Sequence, residues 1–177
     1  MYIAGNKVIL RAVEEQDREM LPKLIQSQEM PKLAGGYGGS VSYEHQLNWL
    51  RSESDSSGNI RSIIAEKENP SVGLGIIILS NVDLKNGEAE IFVKLMKSVR
   101  GKGYGEDAVR AIISYASQEL GLRHIYSNIL ECNTASLRLF EKCGFWQEGT
   151  HKSKMHKDGH DRNVCSYGIN LSCEVRN

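Results

Sequence analysis

Residues 100–105, Arg-Gly-Lys-Gly-Tyr-Gly, put three alternating glycines and two cations on one short stretch. Glycine lets a backbone take positive φ and come close to a ligand, while Arg100 and Lys102 bring positive charge to the same place. An anion is the guest these residues suit, a phosphate above all. Other chemistry-bearing residues are less organised. His151, His156 and His160 gather around "HKDGHD", but Asp158-Gly159 is a turn signal, so they flank a hairpin, and no thiol or carboxylate set completes a metal site at ligand spacing. No metal is expected. Cys132, Cys143, Cys165 and Cys173 lack C-x-x-C spacing and read as small buried hydrophobes of a reducing compartment.

The elements that must position the loop can be read from periodicity. "KVILRAV" (7–13) alternates as a first strand, and "EEQDREMLPKLIQS" (14–27) has the apolar spacing of a helix through Met20, Leu21, Leu24 and Ile25. A glycine-rich loop around Pro31 follows, then "YEHQLNWLRSE" resumes helical spacing. "IRSIIAEKE", "SVGLGIIILSNVD" and "EAEIFVKLM" form an antiparallel meander, the last two joined by the turn "LKNG". After the glycine loop, "EDAVRAIISYASQELG" predicts a helix stopped by Gly121, "RHIYSNIL" a strand, and "NTASLRLFEKCG" a helix capped by Asn133 and closed by Gly144. "FWQEGTHKSKMH" and "NVCSYGINL" are the last strands. The fold class expected is α+β, a single domain over residues 1–177 with a mixed, mostly antiparallel central sheet flanked by helices.

The charge balance of 22 basic and 22 acidic residues leaves no general field for nucleic acid or an anionic membrane, so any anion site is local. With no apolar stretch long enough to cross a bilayer and no leader-like start, the chain is expected to be cytoplasmic, and a homodimer is left open.

A loop between strand and helix is an anion site because free N–H groups and the helix dipole converge there. It is not a dinucleotide fingerprint, since Glu106 stands where the third glycine belongs. It is not a Walker loop either, since Met96 stands where the leading glycine belongs. Glu106 and Asp107, in the first helical turn, would satisfy the dipole themselves, so an anion requires both carboxylates to point away.

"VRGKGYG" resembles the R/Q-x-x-G-x-G/A signature of the GNAT N-acetyltransferases, with Arg100, Gly103 and Gly105 at the defining places, and "NTASLRLFEKCGF" is similar to their second cofactor motif. The element order matches as well, most closely the branch of spermidine and ribosomal-protein N-terminal acetyltransferases. The resemblance implies acetyl-CoA in a V-shaped cleft between the strand ending at Val93, Lys94 and Leu95 and the strand near Ile129. The pyrophosphate would lie on the amides of Arg100, Gly101, Lys102, Gly103, Tyr104, Gly105 and Glu106. Asn133 and Lys142 fall where the second motif nears the cofactor; a solvated cation accounts equally for Lys142, and a helix cap is compatible with that role for Asn133.

Acetyl transfer to an amine needs a neutral amine, a stabilised oxyanion and an exit for the thiolate. The resemblance assigns the oxyanion to backbone N–H near Val93 to Leu95. It makes Glu90 the carboxylate that deprotonates the amine through water, unless Glu90 is an ordinary solvated strand residue. It also implies a tyrosine seven residues after Asn133 as acid, and Phe140 stands there. Water or another hydroxyl then replaces it, the thiolate leaves unprotonated, or CoA is bound without efficient transfer. For the acceptor, Tyr37, Tyr43, His45, Asn48 and Trp49 suit an amino sugar, an aminoglycoside or a peptide N-terminus. A polyamine finds few carboxylates beside Glu29 and Glu44. Three functions follow: transfer to a small-molecule amine, transfer to a protein N-terminus, or a non-catalytic CoA-binding module.

Overall fold

The computed structural model describes residues 2–25, 58–157 and 159–171. In chain order these form β1 (Tyr2–Ala4), β2 (Val8–Arg11), a 3₁₀ turn (Glu15–Glu19), α1 (Met20–Ile25), β3 (Ile60–Glu66), β4 (Gly73–Asp83) and β5 (Glu88–Leu95). A second 3₁₀ turn (Lys97–Val99), α2 (Tyr104–Gln118), β6 (His124–Leu130), α3 (Thr134–Lys142), β7 (Trp146–Lys157) and β8 (His160–Asn170) follow. The predicted second helix and the glycine loop before it, with Glu29, Tyr37, Tyr43, Glu44, His45, Asn48 and Trp49, lie outside the described residues.

Among the described residues, eight strands make one sheet in the order β1-β2-β3-β4-β5-β6-β8-β7. Every neighbouring pair is antiparallel except β5 and β6. This is the mixed α+β arrangement expected. Both faces are covered, which is why β3 and the first part of β4 are almost continuously buried and "GLGIIIL" is continuously apolar. On one face Leu10, Ile64, Ile77, Leu79 and Ile91 pack with Val109 and Ile112 of α2 and Phe140 of α3. On the other, Ile9, Ile63, Ile76 and Ile78 pack with Met20, Leu21 and Leu24 of α1.

Three expectations are corrected. The strand expected over 7–13 is the shorter β2, Val8 to Arg11, and an additional strand, β1, precedes it, too short to show a period. The helix expected over 14–27 starts as a 3₁₀ turn because Asp17 is drawn inward to Arg11, making a two-pronged pair at 2.7 and 2.8 Å. The carboxylate of Asp17 also accepts the Glu14 N–H, which caps the turn. The last strand starts at His160, three residues before the predicted Asn163, and pairs tightly across Gly159 (φ +75°). Among the cysteines, Cys143 and Cys165 are buried as expected, but Cys132 is exposed. Burial pushes the Cys143 thiol up to about 11, so it remains an uncharged core residue.

Candidate active site

The site begins where two strands part. β5 and β6 pair in parallel only over Glu88, Ala89 and Glu90 against His124, Ile125 and Tyr126. Beyond Glu90 each strand keeps its outer partner, β4 or β8, and the sheet opens between them. The direction of the exposed backbone follows from two bonds. Gly87 O accepts from Arg123 N and His124 N on the β6 side, while Met96 N donates to Leu74 O on the β4 side. Backbone groups alternate along a strand, so Val93 and Leu95 turn theirs into the opening and Lys94 turns its own toward β4. The Lys94 side chain is buried on the α1 face, at 7% exposure.

The glycine loop closes the wide end of this opening. Gly101 (φ +78°) and Gly103 (φ +85°) occupy the left-handed region, and Gly103 is the residue before α2 begins. Gly105 is glycine for another reason: a Cβ there would lie 3.2 Å from Leu95 Cδ1 and 3.4 Å from Leu139 Cδ2. Among the described residues, no acceptor takes the amides of 101–106, the donors a helix start leaves over. The two acids of the first turn do not take them either. Glu106 pairs with Arg110 at 3.0 Å, and Asp107 accepts Asn6 N, Lys7 N and Val8 N at 3.0, 2.8 and 3.0 Å. Both carboxylates point away, which is the condition an anion requires. Arg100 Nε donates to Leu95 O at 3.2 Å and so ties the loop to the end of β5. Tyr104 gives its hydroxyl to Glu66 at 2.8 Å, and that carboxylate holds the phenol above its ordinary pKa.

At the narrow end stands Glu90, the last paired residue. Asn81 Nδ2 donates to Glu90 Oε2 at 3.0 Å and Asn128 Nδ2 to Oε1 at 2.9 Å. The carboxylate is thus gripped from both neighbouring strands, with lone pairs left for a water or an amine. Asn81 reaches it because β4 bulges between Ser80 and Asp83, where Asn81 takes φ +52°. Asparagine tolerates that conformation better than most residues, and a bulge re-aims a side chain. Tyr126 lies opposite Glu90, and burial, then the Glu90 charge, push its hydroxyl upward, so the phenol stays protonated at neutral pH. Sequence reasoning missed Asn81, Tyr126 and Asn128. A signal existed: "IIILSN" and "HIYSNIL" each interrupt an apolar strand with Ser-Asn, and those two asparagines are the ones that meet Glu90.

Asn133 caps α3 through Ser136 N at 3.2 Å, at the end where β6 leads into the helix. Lys142 is exposed at the other end, where its carbonyl accepts from Arg110. Phe140 is 1% exposed and belongs to the helix stop. Phe145 N donates to Phe140 O and Gly144 N to Glu141 O, each at 3.0 Å, with Gly144 at φ +91°. That pair of hydrogen bonds is the Schellman ending, and the apolar contact that goes with it is Phe140 against Phe145, edge to face with ring centres 4.9 Å apart. Phe140→Tyr adds a hydroxyl to a side chain that packs in the buried cluster under α2 and α3. The variant is expected to lose about 1–3 kcal/mol of stability, or about 2–4 °C in melting temperature per kcal/mol, while turnover changes less than about tenfold. Scanning calorimetry and steady-state rates check both, and a silent parent restored to activity by tyrosine would overturn the expectation.

Among the described residues, no group of three or more His, Cys, Asp or Glu could hold a metal, and no helix is long and apolar enough to cross a membrane.

A sheet parted between two parallel strands, with a carboxylate at the apex and unclaimed helix-start amides at the mouth, is the arrangement of an acyltransferase. A family model for the acetyltransferase (GNAT) domain matches residues 7–146. The chain belongs to the GNAT N-acetyltransferase family. Members of this family use acetyl-CoA. An N-acetyltransferase 9-like protein of Caenorhabditis elegans is 30% identical over 160 residues, covering 83% of this chain and 79% of its own. The putative ribosomal N-acetyltransferase YdaF of Bacillus subtilis (strain 168) is 27% identical over 169 residues, covering 92% and 90%. The crystal structure of spermidine N-acetyltransferase from Vibrio cholerae in complex with CoA and spermine superposes with a TM-score of 0.78 at 19% identity, covering 93% of this chain and 95% of that one, a likeness of fold.

Proposed function

We propose that the protein moves the acetyl group of acetyl-CoA to a primary amine of a small molecule, an amino sugar, an aminoglycoside or a polyamine-like compound. The observation that carries this is Glu90, held by Asn81 and Asn128 at the point where β5 and β6 separate. Five residues of strand, about 17 Å, separate it from Leu95 and the glycine loop. An extended thioester arm with a phosphate at its far end suits that spacing.

Bound acetyl-CoA supplies an acyl carbon already activated for attack. The amides of Gly101, Lys102, Gly103, Tyr104, Gly105 and Glu106 hold the pyrophosphate, helped by the charge of Lys102 and the positive end of α2. Val93 and Leu95 offer strand backbone to the pantetheine arm, and their N–H groups face the place where negative charge develops on the acyl oxygen. Glu90 takes the amine proton, directly or through one water. Lys94 turns its backbone toward β4 and buries its side chain, so it belongs to the sheet behind the cleft. Phe140 supports the site by fixing the end of α3, so the thiolate leaves with help from water or a hydroxyl not yet assigned. Asn133 keeps its cap, and Lys142 is left to meet the outer part of the cofactor.

A protein N-terminus is the second acceptor to consider, favoured by the likeness to the putative ribosomal N-acetyltransferase. A panel holding glucosamine, an aminoglycoside, spermidine and short peptides with free N-termini, read by release of free CoA, tests both. Turnover with one of the small amines is expected. Turnover confined to peptides moves the assignment to the second acceptor, and none with any amine leaves a CoA-binding module.

A further inference from the structure

The turn between β1 and β2 is built around a carboxylate from a distant helix. Asp107 of α2 accepts three successive backbone N–H groups of that turn, from Asn6, Lys7 and Val8. Gly5 leaves room for it, since a Cβ there would lie 2.5 Å from Asp107 Oδ2. So fastened, the turn sends Lys7 Nζ to the carbonyl of Lys102 at 3.2 Å, and a Cβ on Gly103 would lie 3.4 Å from the same ammonium.

The Lys102 carbonyl and the Gly103 N–H belong to one peptide unit. A trans peptide is planar with C=O and N–H pointing opposite ways, and no peptide bond among the described residues is cis. A cation fixed on the carbonyl therefore turns the Gly103 N–H away from the β1–β2 turn and polarises it as a donor. We propose that Lys7 is a positioning residue of the cofactor site: held by Asp107, it orients and strengthens the Gly103 amide that receives the pyrophosphate. The same arrangement explains why an acid in the first turn of α2 does not spoil an anion site. Its charge is spent on the turn that carries the cation. The inference rests on the acetyl-CoA reading of the loop.

Calorimetric titration of the whole protein with CoA and with 3′-dephospho-CoA tests it. Lys7→Met is expected to weaken both ligands by roughly tenfold, because both carry the pyrophosphate, and Lys7→Arg to recover most of the loss. The KM for acetyl-CoA should rise in step with the dissociation constant. Asp107→Asn should weaken binding similarly, and the double variant Lys7→Met/Asp107→Asn should be little worse than either single one, as residues acting through one route are not additive. Affinity of Lys7→Met within twofold of the parent overturns the proposal while leaving the loop as the cofactor site. A loss seen with CoA but absent with 3′-dephospho-CoA also overturns it, since Lys7 would then meet the 3′-phosphate directly. A parent protein that binds neither ligand overturns the loop reading and this inference together.

Discussion

Glutamine in place of Glu90 is expected to lower turnover by about 10²–10⁴-fold, the range for loss of a general base. The deficit should be widest at low pH, where removing a proton from the amine is hardest, and narrow as rising pH frees the amine without help. Glutamine keeps the length and shape of the side chain. One of the two asparagine amides, Asn81 or Asn128, keeps donating to its carbonyl oxygen and the other can flip to accept from its new NH2 group, so the scaffold should persist. A pH–rate profile of the folded variant that overlays the parent would return Glu90 to an ordinary strand carboxylate.

The second large effect is expected at Gly103. Its φ of +85° lies where a β-branched residue is an outlier, so valine there costs about 1–3 kcal/mol. Space is not the obstacle: the nearest atom to a Cβ at 103 is the end of the flexible Lys7 side chain. The chain relieves the strain by moving the peptide units of the loop, and the amides of 101–106 then no longer converge. Affinity for acetyl-CoA should fall at least about tenfold, which is about 1.4 kcal/mol, with the circular dichroism of the fold kept. Gly121 provides the control, with φ +66° and open space around it after α2, far along the helix from the loop. Gly121→Val should lower the melting temperature and leave cofactor affinity alone. Equal affinity in a folded Gly103→Val would remove the loop from the cofactor site.

Local patterns were legible in the chain. α2 and α3 could be placed because their apolar spacing, the Asn133 cap and the Gly144 stop all act within a turn or two of the residues that encode them. The order of the middle strands could be read for the same reason, as could the glycine loop between a strand and a helix. The α+β class follows from that order, and the family from two motifs whose glycines answer to a backbone angle at 103 and 144 and to close packing at 105.

What only the tertiary structure decided depends on residues far apart in sequence. No period in the chain marks β1. The turn behind it closes on Asp107, about a hundred residues away, and through Lys7 it comes to the back of the loop. Nor does any local pattern say that "SNVD" bulges to aim Asn81 at Glu90, or that β6 brings Asn128 to the same carboxylate from the other side. The glycines, caps and apolar stripes announce themselves because a short stretch of chain determines their energy. The grip on Glu90 and the opening between β5 and β6 come from strand register and from where pairing stops, and those are settled by the packing of the whole sheet.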